Sequence, residues 1–352
     1  MPPNSLSRLS YVDVLKILAT FSIVVLHVSA LYVRMDAQLV NPSGALPYVL
    51  NTLTRVALPL FMMISGALLL RDNYSFKMKE KIIFMLKVYA LWSLFYMLLE
   101  QAFRLSSGAV PLSATEMLKN WICGPYHFWY LQMLIGFYLL MPLLERLKGL
   151  RTLNYATLLA FVVIYIYGPF APHLPASLQP VITQIILVEP GTVLFFFLLG
   201  ACVHRVPYSK KLAAVAALMT LVGLGLRLYL LFTAADYSQA SALQPHTSYS
   251  ELLLATGIFY LARYLCRHYN DGPRMQYLSK STLRIYVSSA LWIFLFERLL
   301  KATWDTFVSW PTLTILIWSV VVFLLSWLTA HLLTLKDRAL RGKINPFRRH
   351  SA

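Results

Sequence analysis

The stretch YVDVLKILATFSIVVLHVSALYV, residues 11–33, decides the fold. A run of about 20 mostly apolar residues is what crosses the hydrocarbon core of a bilayer. The run is too long for a signal-peptide core and no A-x-A-like site follows it. It therefore reads as the first of several membrane helices. Three ionisable residues, Asp13, Lys16 and His27, interrupt it. Lys16 and His27 are eleven residues apart. On a helix that is three turns plus about 20°, so both share one face, roughly 16 Å apart along the axis. Asp13 and Thr20 fall near the same stripe. A face that is polar from end to end must look into protein or water rather than lipid.

The rest of the chain continues the pattern. Of 352 residues, 59% are hydrophobic and 13% charged, with a mean hydropathy of +0.63. A soluble domain carries about twice that charged fraction. Candidate spans lie at 11–33, 48–70, 81–103, 127–145, 152–168, 181–203, 211–234, 249–267, 281–300 and 312–335. The Pro-rich stretch from Gly168 to Pro175 separates the fifth from the sixth. The fold is read as all-α, a polytopic transmembrane bundle of about ten helices in one domain over 1–352, with a short basic tail at 336–352. With the N-terminus placed inside, 23 of the 31 Lys and Arg residues fall on the inner side, 5 on the outer side and 3 (Arg55, Lys87 and Arg227) within spans. That alternation puts both termini in the cytoplasm. The same rule accounts for the net charge of +17, and no nucleic-acid-binding motif accompanies it. The three cysteines, Cys123, Cys202 and Cys266, are too few and too scattered for a disulfide framework or a zinc site, and no metal site is evident.

Ionisable groups inside spans are expensive and mark candidate functional sites. His27 comes about 9 Å below the outer end of its span and Arg55 about 10 Å below its own. Glu189 and Arg227 reach a similar depth. A bland reading pairs Glu189 with Arg55 or Arg227 for structure alone and leaves His27 as a hydrogen-bonded core histidine. Four such groups on four helices at one level favour a site. Glu189-Pro190-Gly191 adds a helix break of the kind that lines cavities. At the inner level, Asp13, Lys16, Lys87 and Arg284 form a basic mouth suited to a phosphate-bearing ligand, although inner positive charge is expected in any membrane protein. At the outer edge, His127, Trp129 and Tyr130 open the fourth span. They are either belt aromatics or a face for stacking on a sugar.

These residues carry a resemblance. The order Asp13, Lys16, His27 resembles the opening of the acyltransferase 3 family of bacterial membrane acyltransferases. Arg55 to Gly66, with Pro59-Leu60-Phe61 and Ser65-Gly66, is similar to that family's second segment. His127-Phe128-Trp129-Tyr130-Leu131, Phe197-Leu198-Leu199-Gly200 and Ser281-Thr282-Leu283-Arg284-Ile285-Tyr286 follow in the family's order. There are departures. Lys16 stands where the family usually has Arg, Arg284 where it often has Gly, and Ser289 where it often has His. The resemblance implies a short, stand-alone enzyme of the bacterial inner membrane. Such an enzyme O-acylates, usually O-acetylates, a surface polysaccharide or other cell-envelope glycan, with cytoplasmic acetyl-CoA or another acyl-CoA as donor and a glycan or lipid-linked saccharide as acceptor.

On that reading Lys16, with Asp13, Lys87 and Arg284, receives the donor. His27 acts as general base on the acceptor hydroxyl or is transiently acylated. Arg55 or Arg227 stabilises the oxyanion, Glu189 orients a partner, and His127, Trp129 and Tyr130 position the acceptor. The competing class is a transporter or flippase for a lipid-linked glycan, which would also explain a polar midplane and a broken helix. It does not explain a basic inner mouth joined to a histidine by one helical stripe.

Overall fold

The computed structural model describes residues 8–35, 45–71, 77–167, 189–234, 237–242, 244, 248–302 and 310–344. Among the described residues there is no β-strand. The helices in chain order are α1 (Ser10–Met35), α2 (Ala45–Thr54), α3 (Ala57–Leu69), α4 (Met78–Ser106), α5 (Ala114–Cys123), α6 (Trp129–Leu144) and α7 (Leu150–Phe161). They continue with α8 (Glu189–Arg205), α9 (Lys210–Thr233), α10 (Tyr237–Ala242), α11 (Tyr249–Leu265), α12 (Pro273–Ala302) and α13 (Pro311–Ile344). Among the described residues, six stretches are long and apolar enough to cross a membrane: Ser10–Val33, Ala45–Leu69, Met78–Ser106, Ala114–Lys148, Lys210–Thr233 and Pro311–Asp337. Leu150–Ile166 and Gly191–Arg205 are apolar but shorter. The other two expected spans are helical as well, as α11 and α12.

The second expected span, 48–70, is not one helix. It breaks at Arg55–Val56, between α2 and α3. Pro59 causes this. It has no N–H to give the Arg55 carbonyl four residues back, and its ring crowds that carbonyl. The Leu58 N–H takes the Arg55 carbonyl instead, at 3.3 Å, and the regular pattern resumes with Leu60 N–H to Val56 O at 3.1 Å.

The chain divides into two compact units, and Leu68–Leu159 forms the described part of the first. Here α5, absent from the expected elements, is an added short helix. A capping box starts it. The Glu116 N–H donates to the Ser113 hydroxyl at 3.3 Å, and the Ser113 N–H donates to the Glu116 carboxylate at 2.8 Å. Gly124, at φ +67°, follows its last turn in the left-handed region, where glycine is the residue of choice. Trp121 donates to the Ala90 carbonyl at 3.0 Å and Tyr89 to the Ile122 carbonyl at 2.9 Å, which ties α5 to α4. Its Leu118, Trp121 and Ile122 remain exposed, the composition of a helix lying in a membrane interface.

The second unit holds Ser7–Ala67 and Ala160–Ala352. Helix α1 is its axis, packed against α2, α11, α12 and α13. Val24, Val28, Leu31, Tyr32 and Tyr48 join Leu231, Tyr237, Phe296, Ile315 and Val322 in one buried cluster. Leu18, more than half a turn round α1 from Lys16, is exposed. Two glycine crossings bring backbones together. A Cβ on Gly66 would collide with the Phe197 carbonyl, and one on Gly200 with the Met63 backbone. The Ser65-Gly66 and Phe197–Gly200 segments, far apart in sequence, are thus the two halves of one α3–α8 contact. On the α9–α11 hairpin, Gly223 lies against the Ser250–Leu254 backbone and Gly257 against Ala216 and Thr220. Small residues at such points let membrane helices approach closely.

Candidate functional site

The α9–α11 crossing sets the most deeply buried charges. Arg227 on α9 and Glu251 on α11 are both fully buried and form an ion pair through Nη1 and Oε2. Gln244 closes the pair's flank. Its Oε1 accepts from Arg227 Nε at 3.3 Å and its Nε2 donates to the Arg227 carbonyl at 3.2 Å. Arg227 Nη2 and Glu251 Oε1 have no hydrogen-bond partner among the described residues. The acidic partner of Arg227 is therefore Glu251, which the sequence reading did not single out.

Glu189 is helical in its backbone at the start of α8, and its side chain lies outside the described residues. Residues 181–188, on the side where Pro190 would interrupt a helix, lie outside the described residues, and so does the break expected at Glu189-Pro190-Gly191. All three residues are helical, with Pro190 in the first described turn.

Arg55 sits at the α2–α3 break. Its Nη2 donates to the Tyr237 hydroxyl at 3.1 Å, with the guanidinium 5.9 Å from the centre of that ring. The Tyr237 hydroxyl in turn donates to Asn51 Oδ1. The Asn51 amide donates to the Leu26 carbonyl at 3.1 Å and to the Ser29 hydroxyl at 3.0 Å. Leu26 and Ser29 flank His27, which is half-buried on α1. Arg55 is thus tied through Tyr237 and Asn51 to the turn that presents the imidazole. The structure joins Arg55 to the turn that carries His27 through neutral polar residues that the sequence reading passed over, and holds Arg227 in a separate set with Glu251 and Gln244.

At the other end of α1, Asp13 is buried and holds the helix start in place. Arg8 Nε lies 2.6 Å from Asp13 Oδ2 and 3.1 Å from Asp271 Oδ2, and the Ser279 hydroxyl donates to Asp13. Ser10 donates to Asp271 at 2.7 Å. Burial pushes the Asp271 carboxyl up. Hydrogen bonds with Ser10, the neighbouring Asp13 and Arg8 outweigh it and hold the group below the usual carboxylate range. Lys16, one turn further along, is half-buried, and its carbonyl accepts from Thr20 at 2.7 Å. Arg284 is occupied elsewhere. It pairs with Asp337 at 2.6 Å and donates to Thr334 at 2.5 Å, clasping α12 to α13.

Four expected site residues belong to the first unit. Lys87 is exposed on α4. His127 is buried, with its ring centre 5.5 Å from that of Tyr96, 5.3 Å from Tyr126 and 4.6 Å from Phe128. Trp129 is exposed and Tyr130 half-buried at the start of α6. Among the described residues no group of three His, Cys, Asp or Glu side chains is placed to hold a metal ion.

The second unit thus offers an imidazole on the central helix. One hydrogen-bonded set ties the Arg55 guanidinium to the turn that carries that imidazole, and a second holds the buried Arg227 guanidinium; guanidinium groups are of the kind that stabilise a developing oxyanion. In comparison with known proteins, a family model described as an acyltransferase domain matches residues 9–331. No curated protein and no solved structure matches the chain.

Proposed function

The chain belongs to the acyltransferase 3 family, and on that premise we propose that it is an O-acyltransferase of the bacterial inner membrane that transfers acetyl from cytoplasmic acetyl-CoA to a hydroxyl of a surface or cell-envelope glycan. The chain crosses the membrane ten times with both ends in the cytoplasm. The observation that carries the reading is the Arg55–Tyr237–Asn51 link to the Leu26 carbonyl and the Ser29 hydroxyl, on either side of His27.

His27 takes the proton of the acceptor hydroxyl as the oxygen attacks the thioester carbonyl, and returns it to the departing thiolate. The alternative order, in which His27 carries the acyl group between donor and acceptor, uses the same residue. Arg55 is the first candidate for the oxyanion. It lies on a helix break, so its side chain and the adjacent backbone are set by Pro59 and Tyr237 rather than by a regular turn. Arg227 is held by Glu251 and Gln244, with Nη2 left over for a substrate oxygen. The donor enters along the Lys16 side of α1. With Arg284 engaged by Asp337, Lys16 carries more of that task than one of three equal cations would. His127, Trp129 and Tyr130 receive the acceptor.

The test is release of CoA thiol from acetyl-CoA by the purified protein in lipid, with a cell-envelope glycan as acceptor. Release that disappears in His27→Ala establishes the activity and its residue. Undiminished release in folded His27→Ala refutes the role of His27. No release by folded wild-type protein with any acyl-CoA refutes the enzyme and favours an exporter.

A further inference from the structure

One buried cation has no counterpart in the site above. Arg263, in the last turn of α11, is 6% exposed. Its Nε and Nη1 are buried without any hydrogen-bond partner among the described residues. What it has is aromatic. Its guanidinium carbon lies 4.2 Å from the centre of the Tyr208 ring and 6.0 Å from that of Tyr260. Tyr208 is held there by the connection between α8 and α9. The Tyr260 hydroxyl donates to the Pro207 carbonyl at 2.9 Å and accepts from the Ser209 N–H at 3.1 Å. The loop on both sides of Tyr208 is therefore fastened to α11, the helix that carries Arg263.

A stacked ring satisfies the face of a guanidinium and leaves its N–H edge unpaired. The negative end of the α11 dipole favours a cation here without supplying an in-plane acceptor. The carboxylate on α11, Glu251, is twelve residues away, roughly 18 Å along the axis, and is paired with Arg227. The Lys and Arg residues nearest to Tyr208 and Arg263 in sequence are Arg205, Lys210, Lys211 and Arg267, and no Asp or Glu stands between Glu251 and Asp271. Buried charges in proteins are matched by an opposite charge, and here the described residues supply none. Tyr208 is 52% exposed, so the arginine lies one side chain below the surface. By the charge pattern that surface is cytoplasmic.

We infer that Arg263 is the core of an anion site that takes a phosphate group on the unpaired N–H donors of its guanidinium, with Nη2 completing the fork beside Nε or Nη1, and with Tyr208 as the stacking wall. A fork of two N–H donors is the geometry in which arginine binds phosphate. The phosphate comes either from the nucleotide end of CoA, which rests on the acyl-CoA reading above, or from an anionic lipid headgroup, which does not.

The experiment uses the full-length protein in nanodiscs, wild type against R263Q. In one arm CoA affinity is measured in phosphatidylcholine discs. R263Q is expected to weaken it about tenfold or more, the effect of one charge-assisted hydrogen bond. In the other arm the melting temperature is compared with and without phosphatidylglycerol. A stabilisation present in wild type and lost in R263Q assigns the phosphate to lipid. R263Q that matches wild type in both arms overturns the proposal. If wild type binds no CoA, the donor reading fails while the lipid arm still decides the site. Should R263Q not fold, Tyr208→Trp places a reporter on the same guanidinium. Its emission must respond to CoA or to phosphatidylglycerol more than to uncharged adenosine, and an equal or absent response overturns the site.

Discussion

Replacing Glu251 by Leu removes the partner of a fully buried arginine. Arg227 would then keep only Gln244, a neutral acceptor at 3.3 Å. Stranding a buried charge costs about 3–5 kcal/mol, and Arg227→Met should cost a similar amount by stranding the carboxylate. The double variant behaves differently. Nη2 and Oε1 are already unpaired in the native pair, so the desolvation of both ions is only partly offset. Apolar side chains of similar volume should leave the stability within about 1 kcal/mol of wild type or raise it. The sum of the two single losses would far exceed the loss in the double variant. The assay is denaturant unfolding of all four proteins in mixed micelles, read as a double-mutant cycle, with acyl transfer measured alongside. If Arg227 serves the reaction, the double variant recovers stability and not activity. A Glu251→Leu loss below about 1 kcal/mol, or a double loss equal to the sum of the singles, would refute the buried-pair reasoning.

Pro59→Ala restores an N–H for the Arg55 carbonyl and lifts a helix penalty of about 3 kcal/mol. The expected result is a higher melting temperature with lower transfer, and unchanged transfer would detach the α2–α3 break from the chemistry. Asn51→Leu removes bonds to Leu26, Ser29 and Tyr237, at about 1 kcal/mol net for each. The expected result is a stability loss of about 2–3 kcal/mol and a fall in turnover larger than Ser29→Ala produces, both read on detergent-purified protein. Asp271 has its folded pKa held below the ordinary value, so its contribution to stability is present above about pH 4 and is lost as the pH falls through the lowered value. Asp271→Asn should therefore lower the melting temperature at neutral pH and flatten its decline at acid pH. A parallel acid limb in the variant would disprove the link.

The apolar runs were long enough to place the helices, and α1 shows why. Its stripe is set by period alone, and Asp13 and Thr20 are buried on it while Leu18 faces outward. The sequence was less explicit wherever the outcome depended on which helices meet. Glu251 was missed because an acid one turn inside a span reads as interfacial. Its partner is 24 residues away on another helix. A signal was nevertheless present. Gly223 and Gly257 lie about equally far from residue 240, as do Arg227 and Glu251, so a hairpin closing on its glycines puts that arginine level with that acid. Pro59 was visible too, and what it does to the Arg55 carbonyl follows from its missing N–H. Asn51 and Tyr237 had no signal of their own. A search for ionisable groups in lipid passes over neutral side chains, and their value lies in bridging two charged elements. The α5 capping box, Ser113-x-x-Glu116, was legible as a helix start. It was overlooked because the helix it opens is too short to span.

The clasp between Arg284 and Asp337 also works as a depth gauge. Charged pairs of this kind, about a third and a half exposed, settle at the boundary between headgroups and water rather than in hydrocarbon. Helix α13 is 34 residues long. That is roughly 51 Å of helix against a hydrocarbon core of about 30 Å. Its two ends cannot both be submerged, and the clasp marks where the C-terminal end surfaces. Three turns of α12, from Pro273 to Leu283, precede Arg284, and they lie alongside the apolar run of α13: the Tyr277 hydroxyl is 2.8 Å from His331 Nδ1, and Pro273, Tyr277 and Leu278 line one pocket with Phe323, Leu324 and Trp327. The end of α13 past Asp337 thus stands beyond the bilayer, reachable by water-soluble thiol reagents at introduced cysteines. Positions beyond the clasp towards the middle of α13 should be protected from those reagents.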